Sequence, residues 1–318
     1  MPAVDEKPKP FLIPEYCKGC GRCVSVCVKG CIRFADEINP KTGLVPVVLD
    51  LANCTGCGLC IEACPEPYGL RALAAGEDYT LLDPAKRTFT FCHFRKGLYF
   101  PAGTMQTGGG SYQWLRDTLC LPEKTAAEAL KVSPYELMNL QVEKSKPGAN
   151  GLLFFPYLLG ERSPYWDANL RGSFVGATMR HAKPHFVRAL LEGVAYSLRD
   201  CYRTIVDMQL PVDEIRLIGG GAKSDLWTEI ISAVFAQPIV RPAGCDASFG
   251  AALLAGVGVG LFADTVAAAE QCIRVRDVVQ PDPQAVEVYA KLFPLYGRIH
   301  DDLAPTYAEL SRLLLKPA

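Results

Sequence analysis

The sequence predicts two unlike parts in one chain: a small α+β module organised by cysteines over residues 1–84, then a larger α/β lobe over residues 85–318. Three observations predict it. Nine of the fourteen cysteines lie between Cys17 and Cys64. Charge divides at the same place, with 8 basic and 11 acidic residues in 1–84 against 25 and 23 in 85–318. From Arg87 onward, strand-like and helix-like stretches alternate, which is the texture of an α/β domain. A chain of 318 residues suits two domains at roughly 150 residues each, and 49% hydrophobic content is ample for buried cores.

The 33 Lys and Arg nearly cancel the 34 Asp and Glu, which argues against a nucleic-acid or anionic-membrane partner. Met1 to Tyr16 mixes lysine, proline and acids without the apolar core of a secretory signal, so a cytoplasmic location is expected. The longest apolar stretch, Phe249 to Ala263, is short for a bilayer and is interrupted by Gly250, Gly256, Gly258 and Gly260. It is expected to form a buried helix. In a reducing compartment, crowded cysteines point to metal ligation before disulfides.

Cys17, Cys20, Cys23 and Cys27 follow C-x2-C-x2-C-x3-C, and Cys54, Cys57, Cys60 and Cys64 repeat the spacing, an internal duplication. Two-residue steps let a tight loop deliver three thiolates to one compact iron–sulfur cubane while a distant residue closes the fourth corner. Gly19, Gly21, Gly56 and Gly58 let the backbone turn closely enough. Paired structural zinc sites are the alternative, because C-x2-C pairs also suit tetrahedral zinc. Zinc needs no third cysteine at that step, and the full run occurs twice, so two [4Fe–4S] clusters are expected.

In two-cluster ferredoxins the fourth cysteine of each run serves the other cluster. The first cluster would then take Cys17, Cys20, Cys23 and Cys64, and the second Cys54, Cys57, Cys60 and Cys27. That crossing would let a module with a small core fold around its metals. Two departures stand out: Cys27 is followed by Val28 where Cys64 is followed by Pro65, and an extra Cys31 lies four residues beyond Cys27. Cys31 is expected to be a buried small hydrophobe in preference to a substitute ligand.

Tyr16-Cys17-Lys18-Gly19-Cys20-Gly21, Asp36-Glu37-Ile38-Asn39 and Cys54-Thr55-Gly56-Cys57-Gly58-Leu59-Cys60 resemble the small (delta) ferredoxin subunit of 2-oxoacid:ferredoxin oxidoreductases, over about residues 10–84. The resemblance implies a ferredoxin-like fold. It also implies a partner, the thiamine-diphosphate catalytic subunits of such an enzyme; the spacing alone implies only electron transfer.

In the large segment, Arg87–Phe91 and Leu98–Pro101 are expected to be strands flanking His93–Gly97, and Tyr112–Leu119 a short helix. Ser133-Pro134-Tyr135-Glu136 is a capping box with proline at the first helical position, opening a helix to about Lys144. Pro147-Gly148 breaks it. Gly151–Leu158 follows as a strand-like run, then the polar loop Gly160–Asp167. A long helix is expected from about Pro184 to Met208, with Phe186, Leu190, Val194, Leu198, Cys201 and Ile205 on one buried face. His181 and His185 lack carboxylate or cysteine neighbours in sequence and are expected to cap or lie on the surface.

Strand Glu214–Ile218, the turn Gly219-Gly220-Gly221-Ala222-Lys223-Ser224 and helix Asp225–Phe235 form the next unit. Such a turn lets a nucleotide approach the backbone at a helix N-terminus, although it matches neither a Walker loop nor G-x-G-x-x-G, and a plain strand-to-helix turn would also explain it. Gly160-Glu161-Arg162-Ser163-Pro164 with Trp166-Asp167, Leu191-Glu192-Gly193-Val194-Ala195, Gly219–Ser224 with Trp227, and Gly250-Ala251-Ala252 together resemble the C-terminal half of FGGY carbohydrate kinases, most closely xylulokinase. The resemblance implies an incomplete α/β ribonuclease-H-like lobe of the actin/hexokinase type. It places Gly219, Gly220, Gly221, Ala222 and Ser224 on the adenosine motif for ATP or ADP with Mg2+, and Gly250 and Ala251 on the helix start facing it. Gly108-Gly109-Gly110 would lie on the nucleotide side or serve packing.

The family's catalytic aspartate, the Gly-Thr-Ser phosphate hairpin beside it and most of the sugar pocket have no counterpart here, since upstream of Arg87 lies the cysteine module. Asp167, Asp225 and Asp246 fall on other motifs, so no catalytic residue is assigned. Without the hairpin's two strands the lobe's sheet should have an open edge or gap. Three readings follow: an electron-transfer protein carrying a catalytically incomplete lobe, a sugar (xylulose) kinase half completed by a separate N-terminal lobe, or an accidental gene fusion near Asp83–Arg87.

Overall fold

A computed structural model describes residues 9–40, 42–65, 70–72, 83, 85–93, 99–244 and 246–314. The chain divides into two units between Ala102 and Gly103.

In the first unit the duplicated cysteine runs fold as duplicated structure. Strand β1 (Pro10–Leu12) leads through a 3-10 turn at Pro14–Tyr16 to helix α1 (Arg22–Val26), then strand β2 (Ile32–Phe34). Strand β3 (Val47–Leu49), helix α2 (Leu59–Ala63) and strand β4 (Leu70–Ala72) repeat the pattern. β2 pairs antiparallel with β3, Arg33 opposite Val48, and β1 pairs antiparallel with β4, Phe11 opposite Arg71. The outermost strands of the module therefore close on each other. Ile32, Val47 and Leu70 are buried together with Cys23, Cys31 and Cys60, so thiols make up half of a very small core. Such a core cannot offset chain entropy by apolar burial alone.

Strands β5 (Phe89–Cys92) and β6 (Tyr99–Ala102) pair antiparallel, with the Phe91 and Phe100 rings stacked at 5.6 Å. Both strands lie within one or two residues of the expected Arg87–Phe91 and Leu98–Pro101, but they group with the first unit and not with the segment 85–318 to which the sequence assigns them. Ahead of them, the buried Asp83 carboxylate accepts backbone N–H bonds from Ala85 and Arg87 and two bonds from the Arg87 guanidinium at 3.0 and 3.1 Å. Burial opposes ionisation of Asp83, but the Arg87 bonds outweigh it and hold the carboxyl below its usual range.

The second unit opens with three helices, α3 (Gly108–Thr118), α4 (Leu121–Leu130) and α5 (Pro134–Glu143). α3 begins four residues before the expected Tyr112, because its three glycines form the first helical turn. The expected capping box of Ser133 and Glu136 opens α5. Strands β7 (Leu153–Phe155) and β8 (Ser173–Val175) pair antiparallel, and the long helix α6 (Lys183–Asp207) buries Leu190, Val194 and Cys201 as its periodicity requires.

Strand β9 (Ile215–Arg216) runs through helix α7 (Asp225–Phe235) into the parallel strand β10 (Ile239–Pro242). Helices α8 (Ala247–Gly258) and α9 (Thr265–Cys272) follow, then strand β11 (Val275–Val279), antiparallel to β10, and the closing helix α10 (Pro283–Leu314). The sheet order is β11-β10-β9, and among the described residues β9 bonds only to β10, leaving the open edge anticipated for an incomplete lobe.

Two motif segments prove to be scaffold. At Gly193 an added Cβ would sit 2.0 Å from the Phe154 carbonyl oxygen, so α6 lies directly on the β7 backbone. The buried Glu192 carboxylate accepts from Arg188 Nε at 2.7 Å, Tyr289 Oη at 2.8 Å and the Gly148 N–H at 2.9 Å, fastening α6 to α10 and to the turn before β7. Glu161, also buried, accepts from the Gln106 N–H at 2.7 Å and the Arg162 N–H at 2.9 Å.

The expectation of a buried helix at Phe249–Ala263 is corrected. α8 buries only Gly256 and leaves Leu254 exposed, and Val259 and Leu261 beyond its end are exposed as well. α8 packs chiefly on α9, and its run of alanine and glycine is apolar in composition but presents little side-chain area that burial would remove from water. Among the described residues no helix is long and apolar enough to cross a membrane.

Candidate functional sites: two thiol-lined cavities and a glycine-walled cleft

In each cysteine run the same backbone delivers the thiols. A left-handed glycine, Gly21 at φ 72° or Gly58 at φ 81°, caps a five-residue helix whose second residue is the third cysteine and whose C-cap is the fourth. Gly19 meets a second demand besides its φ of 63°: a Cβ there would lie 2.4 Å from the Val45 carbonyl oxygen.

The two runs then exchange their last members. Cys17, Cys20 and Cys23 line one small cavity together with Cys64, walled by Leu12, Val47 and Leu70. Cys54, Cys57 and Cys60 line another with Cys27, and Cys31 stands beside them. Backbone N–H groups already point at ligand sulfurs: Val47 donates to Cys17 Sγ at 3.4 Å and Cys31 to Cys27 Sγ at 3.3 Å. Such bonds offset the negative charge that several thiolates concentrate in one place.

This donor set fits a polynuclear cluster. Each set of four thiols lines one cavity, and thiolate sulfur is the ligand such clusters take. Burial pushes the Cys60 thiol up to about 11, and burial, then the charges of Cys64 and Cys17, raise Cys23. Metal binding at either cavity therefore displaces protons from thiols.

In the second unit, α3, α5, α6 and the turn before α7 wall a cleft of about 780 Å3. Gly220, Gly221 and Ser224 line it, as do Gly108 and Gly109. Gly219 and Ala222 flank the lining residues in sequence, and Gly219 adopts the left-handed φ of 84°. A Cβ at Gly220 would meet nothing within 4 Å, so its backbone faces open space. Gly250 and Ala251 sit in the first turns of α8, exposed, and are not among the lining residues.

Asn139 and Arg241, which sequence reasoning passed over, support this cleft together with the expected Ser224 and Trp227. Ser224 caps α7 through the Trp227 N–H at 3.2 Å and also accepts from Asn139 Nδ2 at 3.2 Å, while Asn139 Oδ1 accepts from Tyr112 Oη at 3.0 Å. Trp227 supports Gly221 from below and donates its indole N–H to the Leu191 carbonyl at 3.2 Å. Arg241 clamps the turn, donating to Asp277 twice at 2.6 Å, to Asp225 at 2.6 Å and to the Ala222 carbonyl at 3.2 Å. A lone arginine on a short strand carries no sequence signal for such a role.

The three aspartates withheld from catalysis all have structural roles. Asp225 binds Arg241, Asp246 caps α8 through the Phe249 N–H at 2.9 Å, and Asp167 accepts the Asn169 N–H at 2.8 Å. His181 accepts the Thr178 N–H at 2.9 Å and His185 the Ala182 N–H at 3.0 Å, the capping roles expected of them.

Residues 16–67 match the 4Fe-4S dicluster domain, and residues 84–259 match the C-terminal domain of the FGGY family of carbohydrate kinases. A xylulose kinase of Staphylococcus epidermidis is 36% identical over 221 residues, covering 69% of this chain and 42% of that protein. A gluconokinase of Bacillus licheniformis is 34% identical over 211 residues, covering 66% of this chain and 41% of that protein. The crystal structure of a ligand-bound xylulose kinase from Lactobacillus acidophilus superposes with a TM-score of 0.63 at 32% identity, covering 72% of this chain and 45% of that one. The chain thus spans about two fifths of the length of these sequence relatives.

Proposed function

Because the chain belongs to the FGGY family of carbohydrate kinases through an actin-like C-terminal lobe, and carries a 4Fe-4S dicluster domain ahead of it, we propose that it is an iron–sulfur electron-transfer protein whose kinase-like lobe binds nucleotide without completing catalysis. The observation that carries the first part is the exchange of Cys27 and Cys64 between the two cavities. Cys17, Cys20, Cys23 and Cys64 hold one cluster, and Cys27, Cys54, Cys57 and Cys60 the other. When bound, each [4Fe–4S] cluster supplies a one-electron redox centre. Ile32, Val47 and Leu70 pack around the buried Cys23 and Cys60, and the Val47 and Cys31 N–H groups stabilise the thiolates of Cys17 and Cys27. The partner is the catalytic subunits of a 2-oxoacid oxidoreductase or another redox protein of similar potential.

Anaerobic titration with dithionite tests this part. The purified chain should take up about two electrons, bleaching its visible absorption as it does so. A chain that takes up none contradicts the reading.

Within the lobe, Gly219, Gly220, Gly221, Ala222 and Ser224 present backbone to adenosine, with Gly250 and Ala251 near the same nucleotide, ATP or ADP with Mg2+. Open space at Gly220 and the supported α7 N-terminus favour this use of the cleft. A separate N-terminal kinase lobe would supply the second half of the phosphate grip. Calorimetry of the isolated chain should therefore show weak binding, nearly equal for ATP and ADP, that tightens with a co-expressed N-terminal lobe. Gly220→Val should weaken it ~10-fold or more, because its side chain fills the space above the backbone. Absence of binding under both conditions would exclude nucleotide as the ligand of this cleft.

A further inference from the structure

The second cavity contains one thiol more than a cubane uses. Resting on the cluster reading above, we propose that Cys31 is an alternative ligand for the iron otherwise held by Cys27. Cys31 is 4% exposed and lines the cavity with Cys27, Cys54, Cys57 and Cys60. The chain is folded to bring the two thiols to one corner: the Gly30 N–H bonds to the Cys27 carbonyl at 3.0 Å, Gly30 takes a left-handed φ of 63°, and the Cys31 N–H reaches Cys27 Sγ at 3.3 Å. The Cys31 Sγ lies 3.8 Å from the Lys29 carbonyl oxygen and is also hydrogen-bonded with the Cys27 side chain.

The arrangement is specific to this corner. Four residues beyond Cys64, the second run has Tyr68 where the first has Cys31, and the other cavity is lined by four cysteines only. A buried hydrophobe would serve equally well as alanine or valine; a thiol against four ligating thiols has a chemical use as well.

The exchange balances without an outside reagent. The Cys31 thiol gives up its proton and forms the iron–sulfur bond, while the Cys27 thiolate leaves the iron and takes that proton. Charge and electron count are unchanged. Cys31 can thereby hold the iron in a chain whose Cys27 is replaced, its proton then passing to solvent.

Iron and acid-labile sulfide per chain, with electron paramagnetic resonance of the reduced protein, test this on the full chain purified anaerobically. The unaltered chain should carry about eight irons, Cys27→Ala should keep about eight with an altered signal from one cluster, and Cys27→Ala/Cys31→Ala should fall to about four. Cys57→Ala, which removes a different thiol of the same cavity, should also fall to about four. A Cys27→Ala chain that carries about four or seven irons, or folds no better than Cys57→Ala by circular dichroism, overturns the proposal. An unaltered chain without iron instead overturns the cluster reading on which it rests.

Discussion

Replacing Cys64 by alanine should remove the cluster of the first cavity, although Cys64 belongs to the second cysteine run. The residue caps the C-terminus of α2, and from there it lines the cavity of Cys17, Cys20 and Cys23. Cys57→Ala should remove the cluster of the other cavity. Each variant should retain about four irons, with different residual paramagnetic signals, because a different cluster survives. The structural cost should also be large. Half of this module's buried hydrophobic core is cysteine, so the double variant Cys57→Ala/Cys64→Ala should lose its tertiary fold, which near-ultraviolet circular dichroism would report. Identical residual signals in the two single variants would contradict the crossed arrangement.

The isolated chain should not phosphorylate xylulose, gluconate or any other sugar above background. Phosphoryl transfer requires a base for the sugar hydroxyl, Mg2+ on the phosphates and a loop that keeps the γ-phosphate in line. These parts act as a unit, and a general base alone is worth roughly 10²–10⁴-fold. The aspartates of the recognisable motifs are already engaged elsewhere, Asp225 with Arg241, Asp246 with the start of α8 and Asp167 with its own loop. Sugar-dependent ADP formation by the pure chain, abolished by Gly220→Val, would refute this expectation and favour a complete kinase site.

What the sequence made legible was what local chemistry dictates. The cysteine spacing, with glycines at the left-handed positions, specified both thiol loops, and α5 and α7 begin where the sequence places them, whereas β5 and β6 lie one or two residues from the expected strands. Long-range partnerships were not legible. Neither the clamp of Arg241 on Asp277 and Ala222 nor the link from Glu192 to Tyr289 can be inferred from spacing, because the partners lie far apart in sequence. The exposure of α8 escaped for a related reason. Composition reports how apolar a segment is, whereas burial depends on which elements cover it, and α8 packs chiefly on α9. Cys31 shows both sides: its burial was legible, and its place among four other thiols was not.

Whether two crossed sets of four thiols hold two [4Fe–4S] clusters is tested most directly by metal and sulfide analysis of the chain purified without oxygen. The expected result is a brown protein with about eight irons and eight acid-labile sulfides per chain. Stoichiometric zinc without sulfide would contradict it.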